Sequence, residues 1–337
     1  MKEAMFYRLD EENVVHCELC AHHCRIKEGR RGICGVRENR DGVLYSLVYG
    51  RLIAEHIDPI EKKPLFNFLP ATKAYSISTV GCNFSCRHCQ NFEISQYPHA
   101  HNGDIAGHTK EAGQVVEDAV QTGCSSVCYT YVEPTIFYEY AYDCAQEAQK
   151  RGLKNVFVSN GYMTPAVTRE LATVLDGINI DVKAFRDDFY KKVCRARLQP
   201  VLDNVKLMHE LGVWVEVTTL LIPGLNDSED ELRDIARFIA SISPDIPWHV
   251  TAFRPTYKML DRPATPEATL RKARDIGKTA GLHYVYEGNI PGAGGENTFC
   301  PGCGAELISR YGFMIRQNRV TNGSCPDCGQ QIAGVWA

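Results

Sequence analysis

Between residues 71 and 291 the chain alternates short apolar runs with segments whose apolar residues recur every three or four positions. The runs Ala74–Val80, Ser126–Tyr131, Asn155–Ser159, Gly177–Val182, Val213–Leu220, Trp248–Phe253 and His283–Tyr286 are rich in Val, Ile, Tyr, Phe or Thr and predict strands. Helices are predicted near Lys110–Thr122, Ile136–Arg151, Pro165–Leu175, Val201–Leu211, Asp227–Ile242 and Pro266–Ala280. In the fifth of these, Leu232, Ile235, Phe238 and Ile239 make one apolar stripe. Gly123, Gly152, Gly212 and Gly281 stand where helices stop, and Ser228 and Thr265 where N-caps are wanted.

Strand–helix repetition of this length implies parallel strands joined by right-handed crossovers. The first strand–helix turn lacks a G-x-G-x-x-G fingerprint and carries three cysteines. The expected fold class is therefore α/β, a complete or partial (β/α) TIM-type barrel rather than an open doubly wound sheet. Chemistry then belongs at the C-terminal ends of the strands. The pattern stops outside this stretch, so three units are expected: an N-terminal module over 1–70, the barrel over 71–291 and a C-terminal module over 292–337. Pro-Gly-Ala-Gly-Gly at 291–295 reads as a hinge.

Composition changes this picture at one point. The 337 residues are 44% hydrophobic and 23% charged, with a net charge of -4, which is ordinary for a globular chain and gives no support to nucleic-acid binding. Met1–Val15 has no apolar core of a signal peptide, and no run approaches the roughly 20 apolar residues that span a bilayer. A cytoplasmic location is expected. The chain nevertheless holds 15 cysteines, an odd number, and grouped cysteines in a reducing compartment point to metal or catalysis.

Cys82, Cys86 and Cys89 follow the first strand with the spacing C-x3-C-x2-C. Three thiolates on one loop hold three corners of a cubane 4Fe-4S cluster and leave the fourth iron open. A structural zinc site wants a fourth ligand, and none lies nearby. This loop, with the aromatic His88 before its third cysteine, resembles the signature of the radical S-adenosylmethionine (SAM) superfamily. The resemblance implies that SAM chelates the open iron. One electron then cleaves SAM to a 5′-deoxyadenosyl radical that abstracts hydrogen from a substrate. It also assigns Cys82, Cys86 and Cys89 to catalysis.

The same resemblance supplies SAM contacts at the later strand ends. Glu133, in Thr130–Thr135, resembles the acid of the family's GGE-type segment, although the two glycines are absent here. Asn160 follows the third strand, and His88 flanks the cluster. Asp181 and Lys183 resemble the Asp-x-Lys of glycyl-radical-enzyme activases. Leu221–Asp227 resembles their VPG…ND turn, but Val217-Thr218-Thr219 stands where an arginine is usual. His249, Thr251 and Phe253 share a face that would meet substrate, and Arg254 is an anion-binding candidate.

A narrower likeness covers residues 15–290. Asp58–Leu65, Thr130–Thr135, Tyr284–Asn289, Cys17–Cys24 and Cys34–Arg37 are similar to the AmmeMemoRadiSam-system radical SAM enzymes, relatives of pyruvate formate-lyase activating enzyme. That group name defines no substrate.

The terminal cysteines form two further sets. Cys300-Pro-Gly-Cys303-Gly and Cys325-Pro-Asp-Cys328-Gly are paired knuckles that resemble a zinc ribbon or rubredoxin-like site, so zinc or iron is expected. Cys17, Cys20, Cys24 and Cys34 read C-x2-C-x3-C-x9-C, with zinc or a second Fe-S cluster both open. Of the single cysteines, Cys194 lies among Lys191, Lys192, Arg195 and Arg197, which are expected to lower its pKa.

The expected protein is thus a radical SAM oxidoreductase charged by a flavodoxin- or ferredoxin-type reductant. Its substrate is either a small molecule or, as in a glycyl-radical-enzyme activase, a partner protein. The rival is a metal-stabilised electron-transfer or scaffold protein without catalysis.

Overall fold

The computed structural model describes residues 1–290, 292 and 294–336. Its centre is one eight-stranded sheet: β1 (Ala54–Pro59), β2 (Lys73–Ser78), β3 (Ser126–Tyr129), β4 (Lys154–Ser159), β5 (Gly177–Asp181), β6 (Trp214–Leu221), β7 (Trp248–Ala252) and β8 (Val285–Gly288). The strands lie side by side in chain order, from β1 at one edge to β8 at the other. β2 to β8 are parallel, and β1 pairs antiparallel with β2, Ala54 opposite Ser78. Among the described residues β1 and β8 do not pair, so the barrel is partial.

Six helices make the crossovers: α1 (Ala112–Gln121), α2 (Tyr138–Lys150), α3 (Pro165–Leu171), α4 (Gln199–Glu210), α5 (Glu229–Ile242) and α6 (Glu267–Thr279). The apolar stripe of α5 does what its period predicts: Leu232, Ile235 and Ile239 are buried against the sheet core. Ser228 caps α5 by accepting from the Glu231 N–H. Thr265 does not cap α6. Its hydroxyl donates to the Leu221 carbonyl and accepts from the Phe253 N–H, holding the loop after β7 against β6. Gly123, Gly152, Gly212 and Gly281 all have positive φ where the chain leaves a helix.

Residues 60–70 plug the N-terminal end of the barrel. Glu216, on β6 and fully buried, accepts from the Phe66 and Asn67 N–H groups at 3.0 and 2.9 Å and from Trp214 Nε1 at 3.0 Å. His249 Nε2 sits 2.6 Å from the same carboxylate. His249 is thus a floor residue and not the substrate contact expected from its strand. Phe68 fills the space left by Gly177, where a Cβ would come within 2.9 Å of its ring. Beside this plug, buried Lys63 pairs with Asp58 at 2.6 Å, and Tyr131 donates its hydroxyl to Asp58.

The N-terminal stretch builds two small antiparallel sheets before β1, so the barrel sheet begins inside residues 1–70. The C-terminal stretch builds a three-stranded sheet over Thr298–Phe299, Glu306–Tyr311 and Met314–Asn318. It docks on the floor: Arg310 stacks on Phe66 and Tyr286 and donates to the Phe66 carbonyl at 2.9 Å. Of the Pro-Gly-Ala-Gly-Gly stretch read as a hinge, Pro291 and Ala293 lie outside the described residues.

Candidate active site

The cluster loop leaves β2 at its C-terminal end, as the strand-end rule requires. Gly81 makes the turn with φ +99°, and a Cβ there would sit 2.6 Å from Val36 Cγ1 and 2.9 Å from the Cys34 carbonyl. Only glycine permits that approach between the loop and the N-terminal module. Cys86 is buried and Cys82 and Cys89 are partly buried. The Phe84 N–H donates to Cys82 Sγ at 3.4 Å, and Ser95 Oγ lies 3.4 Å from Cys89 Sγ. Burial raises the Cys82 thiol well above its ordinary pKa, with Glu133 adding to the effect.

The segment after β5 backs this loop. Asp187–Phe189 and the π-helical turn Tyr190–Cys194 place the Cys194 and Val193 carbonyls against the Ser85 and Arg87 N–H groups, at 3.1 and 3.0 Å. The Cys194 thiol reaches Cys86: their hydrogen bond holds Cys86 below the ordinary thiol pKa. Cys194 itself is pushed well up, first by burial. The basic neighbours do not lower it, because Lys191 and Lys192 turn outward onto Asp187 and Asp188.

The other expected residues gather around the same loop. Asn160 Nδ2 donates to Asn83 Oδ1 at 2.7 Å. Glu133, 4% exposed, accepts from the Asn160 N–H at 2.7 Å, Ser159 Oγ at 2.8 Å and both donors of Thr135. Its carboxyl pKa is raised, chiefly by burial, with those hydrogen bonds opposing. Lys183 Nζ meets Asp181 at 2.7 Å, and its charge is felt by Cys86, Cys194 and His88. Burial, with Lys183 nearby, takes the His88 pKa down to about 3, so the ring is neutral.

Three buried polar atoms here have no partner: Asn83 Nδ2, His88 Nδ1 and Thr218 Oγ1. Such orphans are rare in folded proteins and mark places where a bound group completes the hydrogen bonding. Thr218 faces Asp181 across β5 and β6, at the level where an arginine was missing from the motif. Its neighbour Thr219 is committed elsewhere, donating to the Val182 carbonyl and accepting from Trp248 Nε1. Three thiols on one loop, with unpaired polar atoms of Asn83, His88 and Thr218 near the same strand ends, fit an open 4Fe-4S cluster with SAM beside it. Sequence reasoning missed Asn83 and the Cys86–Cys194 contact; the first hides inside the motif, and the second needs the π-turn.

A cavity of about 400 Å³ opens between the ends of β7 and β8 and the C-terminal module. Gln90, next to Cys89, lines one side, with Arg254, Glu287, Asn289, Glu296 and Phe313 around it. At the C-terminal site, the sulfurs of Cys300, Cys303, Cys325 and Cys328 all lie within 4.8 Å of one another. The pairs Cys300–Cys328 and Cys303–Cys325 are 3.6 and 3.7 Å apart. A tetrahedral ion at roughly 2.3 Å from each thiolate requires edges close to this length. Among the described residues, no helix is long and apolar enough to cross a membrane.

A model of the radical SAM superfamily matches residues 76–239. Over 335 residues the chain is 46% identical to an uncharacterized protein of Methanocaldococcus jannaschii, spanning 98% of this chain and 99% of that one. It is 24% identical over 137 residues to the isethionate sulfite-lyase activating enzyme of Oleidesulfovibrio alaskensis, 39% of this chain and 44% of that one. Streptococcus suis SuiB, in a crystal structure bound to precursor peptide SuiA, shares the fold with a TM-score of 0.51 at 15% identity, covering 68% of this chain and 51% of that one. The matched segment contains the three-cysteine loop and the strand ends that face it, and on these grounds the chain belongs to the radical SAM superfamily.

Proposed function

We propose that the protein abstracts hydrogen from a small polar molecule bound in the cavity beside Gln90. The observation that carries this reading is the cavity's position. It adjoins the cluster loop at Gln90 and is lined by Gly312 and Phe313 of the C-terminal module. Arg254, Glu287 and Glu296 give it groups of both charges, which suits a polar or zwitterionic ligand better than an apolar one.

Cys82, Cys86 and Cys89 would hold the 4Fe-4S cluster, and Asp181, Lys183, Thr218, Asn160 and His88 would border SAM. When bound, the cluster supplies the electron that splits SAM into methionine and a 5′-deoxyadenosyl radical. The residues of the chain position and shield. The Asp181–Lys183 pair offers one group for the SAM carboxylate and one for its ammonium. Glu133 holds the Asn160 backbone and so orients the Asn160 side chain toward the loop. Val80, Phe84 and Phe189 bury the loop, which keeps water from a reactive radical. A flavodoxin- or ferredoxin-type donor would supply the electron, and zinc is the ion that best suits the C-terminal thiols. Reduced, metal-bound cysteines fit the cytoplasm.

A second reading, an activase acting on a glycyl-radical partner protein, is favoured by the similarity to an activating enzyme. Two measurements decide. The electron paramagnetic resonance spectrum of the reduced cluster should change when SAM is added; an unchanged spectrum supports a scaffold without catalysis. Substitution of Phe313 by Ala should alter turnover of a small substrate, whereas an activase would need that side cleared for a peptide loop.

A further inference from the structure

Cys17, Cys20, Cys24 and Cys34 line one narrow cavity together with Arg37, Asn83 and His22. Cys17, Cys20 and Cys34 are buried. The wall carries two orphan donors. Arg37, 1% exposed, gives Nη1 to both Glu139 oxygens at 2.9 and 3.1 Å and Nη2 to the Met5 carbonyl at 2.7 Å. Its Nε has no partner, and neither has Asn83 Nδ2. Buried N–H groups facing thiolates are the donors that sulfur-ligated clusters use to tune their potential.

The spacing of the thiols sets the C-terminal site apart from the other two. Among the described residues the C-terminal set alone brings three or more ligand atoms within 4.8 Å of one another. The N-terminal set does not converge in this way, nor do Cys82, Cys86 and Cys89. One ion draws four thiolates to a common centre, whereas a polynuclear cluster gives each thiolate its own iron and spreads them.

The two sites are also joined. Asn83, which lines the N-terminal cavity, is the residue after Cys82. His22, between Cys20 and Cys24, lies 2.8 Å from the Asn83 carbonyl, and since that oxygen only accepts, Nε2 carries the hydrogen. The Cys34 carbonyl packs on Gly81, the residue before Cys82. Each flank of Cys82 is therefore touched by the N-terminal module, one by ligand Cys34 and the other by His22 between ligands Cys20 and Cys24.

We infer that Cys17, Cys20, Cys24 and Cys34 hold a second iron–sulfur cluster, which relays electrons to the cluster at Cys82, Cys86 and Cys89. The relay rests on the radical SAM reading; the second cluster does not. A one-electron protein donor of the flavodoxin or ferredoxin class is oxidised as the N-terminal cluster is reduced by one electron. That electron then reduces the catalytic cluster, restoring the N-terminal one. Its final acceptor is the sulfonium carbon–sulfur bond of SAM, which breaks to methionine and the 5′-deoxyadenosyl radical.

The test is an anaerobically reconstituted full chain with Cys82, Cys86 and Cys89 all changed to Ala. We expect it to keep half the wild-type iron and sulfide, with a reduced-cluster resonance that ignores added SAM. Loss of all iron from this variant, or two zinc ions per wild-type chain, overturns the second cluster. For the relay, freeze-quenched wild type mixed with reduced flavodoxin should show the SAM-insensitive signal before the SAM-sensitive one. A Cys20→Ser variant should slow reduction of the catalytic cluster by flavodoxin tenfold or more, while leaving its reduction by dithionite unchanged. Simultaneous or reversed order in the wild type overturns the relay, even where the variant does not fold. A missing SAM-sensitive signal in a wild type that keeps the other one condemns the radical SAM reading alone.

Discussion

Asn160 Nδ2 donates to Asn83 Oδ1 across 2.7 Å and so ties the end of β4 to the loop that carries Cys82, Cys86 and Cys89. Both residues are nearly fully buried. The bond places the strand-end polar groups and the cysteines in one frame before any cofactor arrives.

Replacing Asn160 with Ala leaves Asn83 Oδ1 without its donor in a buried site, at a cost of about 1–3 kcal/mol. We expect a lower thermal midpoint and weaker SAM affinity, with the iron content retained. Calorimetry with an iron assay checks this; an unchanged SAM affinity would remove Asn160 from the cofactor site.

The Asp58 carboxyl sits well below its ordinary pKa. Burial raises it, but the hydrogen bonds from Lys62, Lys63 and Tyr131 outweigh that. The pair therefore stabilises the fold fully above about pH 4, and that contribution is lost as pH falls through the lower folded value. Asp58→Asn strands the buried Lys63 charge and should cost about 3–5 kcal/mol near neutral pH. The variant's stability should also lose part of its acid dependence below about pH 4, read by denaturant melts across pH.

The Cys194 thiol donates toward Cys86, and hydrogen bonds to cluster sulfurs favour the reduced, more negative state. Cys194→Ala should lower the reduction potential of the catalytic cluster without removing its iron. A redox titration followed by electron paramagnetic resonance measures the shift, and an unmoved potential would make Cys194 a packing residue only.

Metal at Cys300, Cys303, Cys325 and Cys328 should contribute most of the folding energy of the C-terminal module. Cys303→Ser, or removal of the ion with a chelator, should release the Arg310 stack on Phe66 and Tyr286 and expose Trp336. A red shift in tryptophan emission with a lower melting midpoint is expected, with one zinc per chain lost.

The barrel was legible because its burial pattern repeats: each predicted strand lies within about two residues of an observed one, and the four glycines end their helices. The three-cysteine loop was legible for the same reason, being local. What escaped notice is non-local. β1 has short flanking elements and finds its partner only through β2. His249 shares a strand face with Thr251, yet it sits low in the barrel, where Glu216 claims it. Cys194 reads as a thiol among cations until the π-turn points Lys191 and Lys192 away and the thiol inward. Asn83 carries no sequence signal beyond its place between two cysteines.

Reductive cleavage of SAM at the Cys82, Cys86 and Cys89 loop is the reaction on which the proposed function depends. The direct measurement is 5′-deoxyadenosine by mass spectrometry after anaerobic reduction of the reconstituted protein with SAM. 5′-Deoxyadenosine and methionine are expected in equal amounts, both abolished when Cys86 is changed to Ala. A fully reconstituted, reduced cluster that leaves SAM intact would contradict the proposed function.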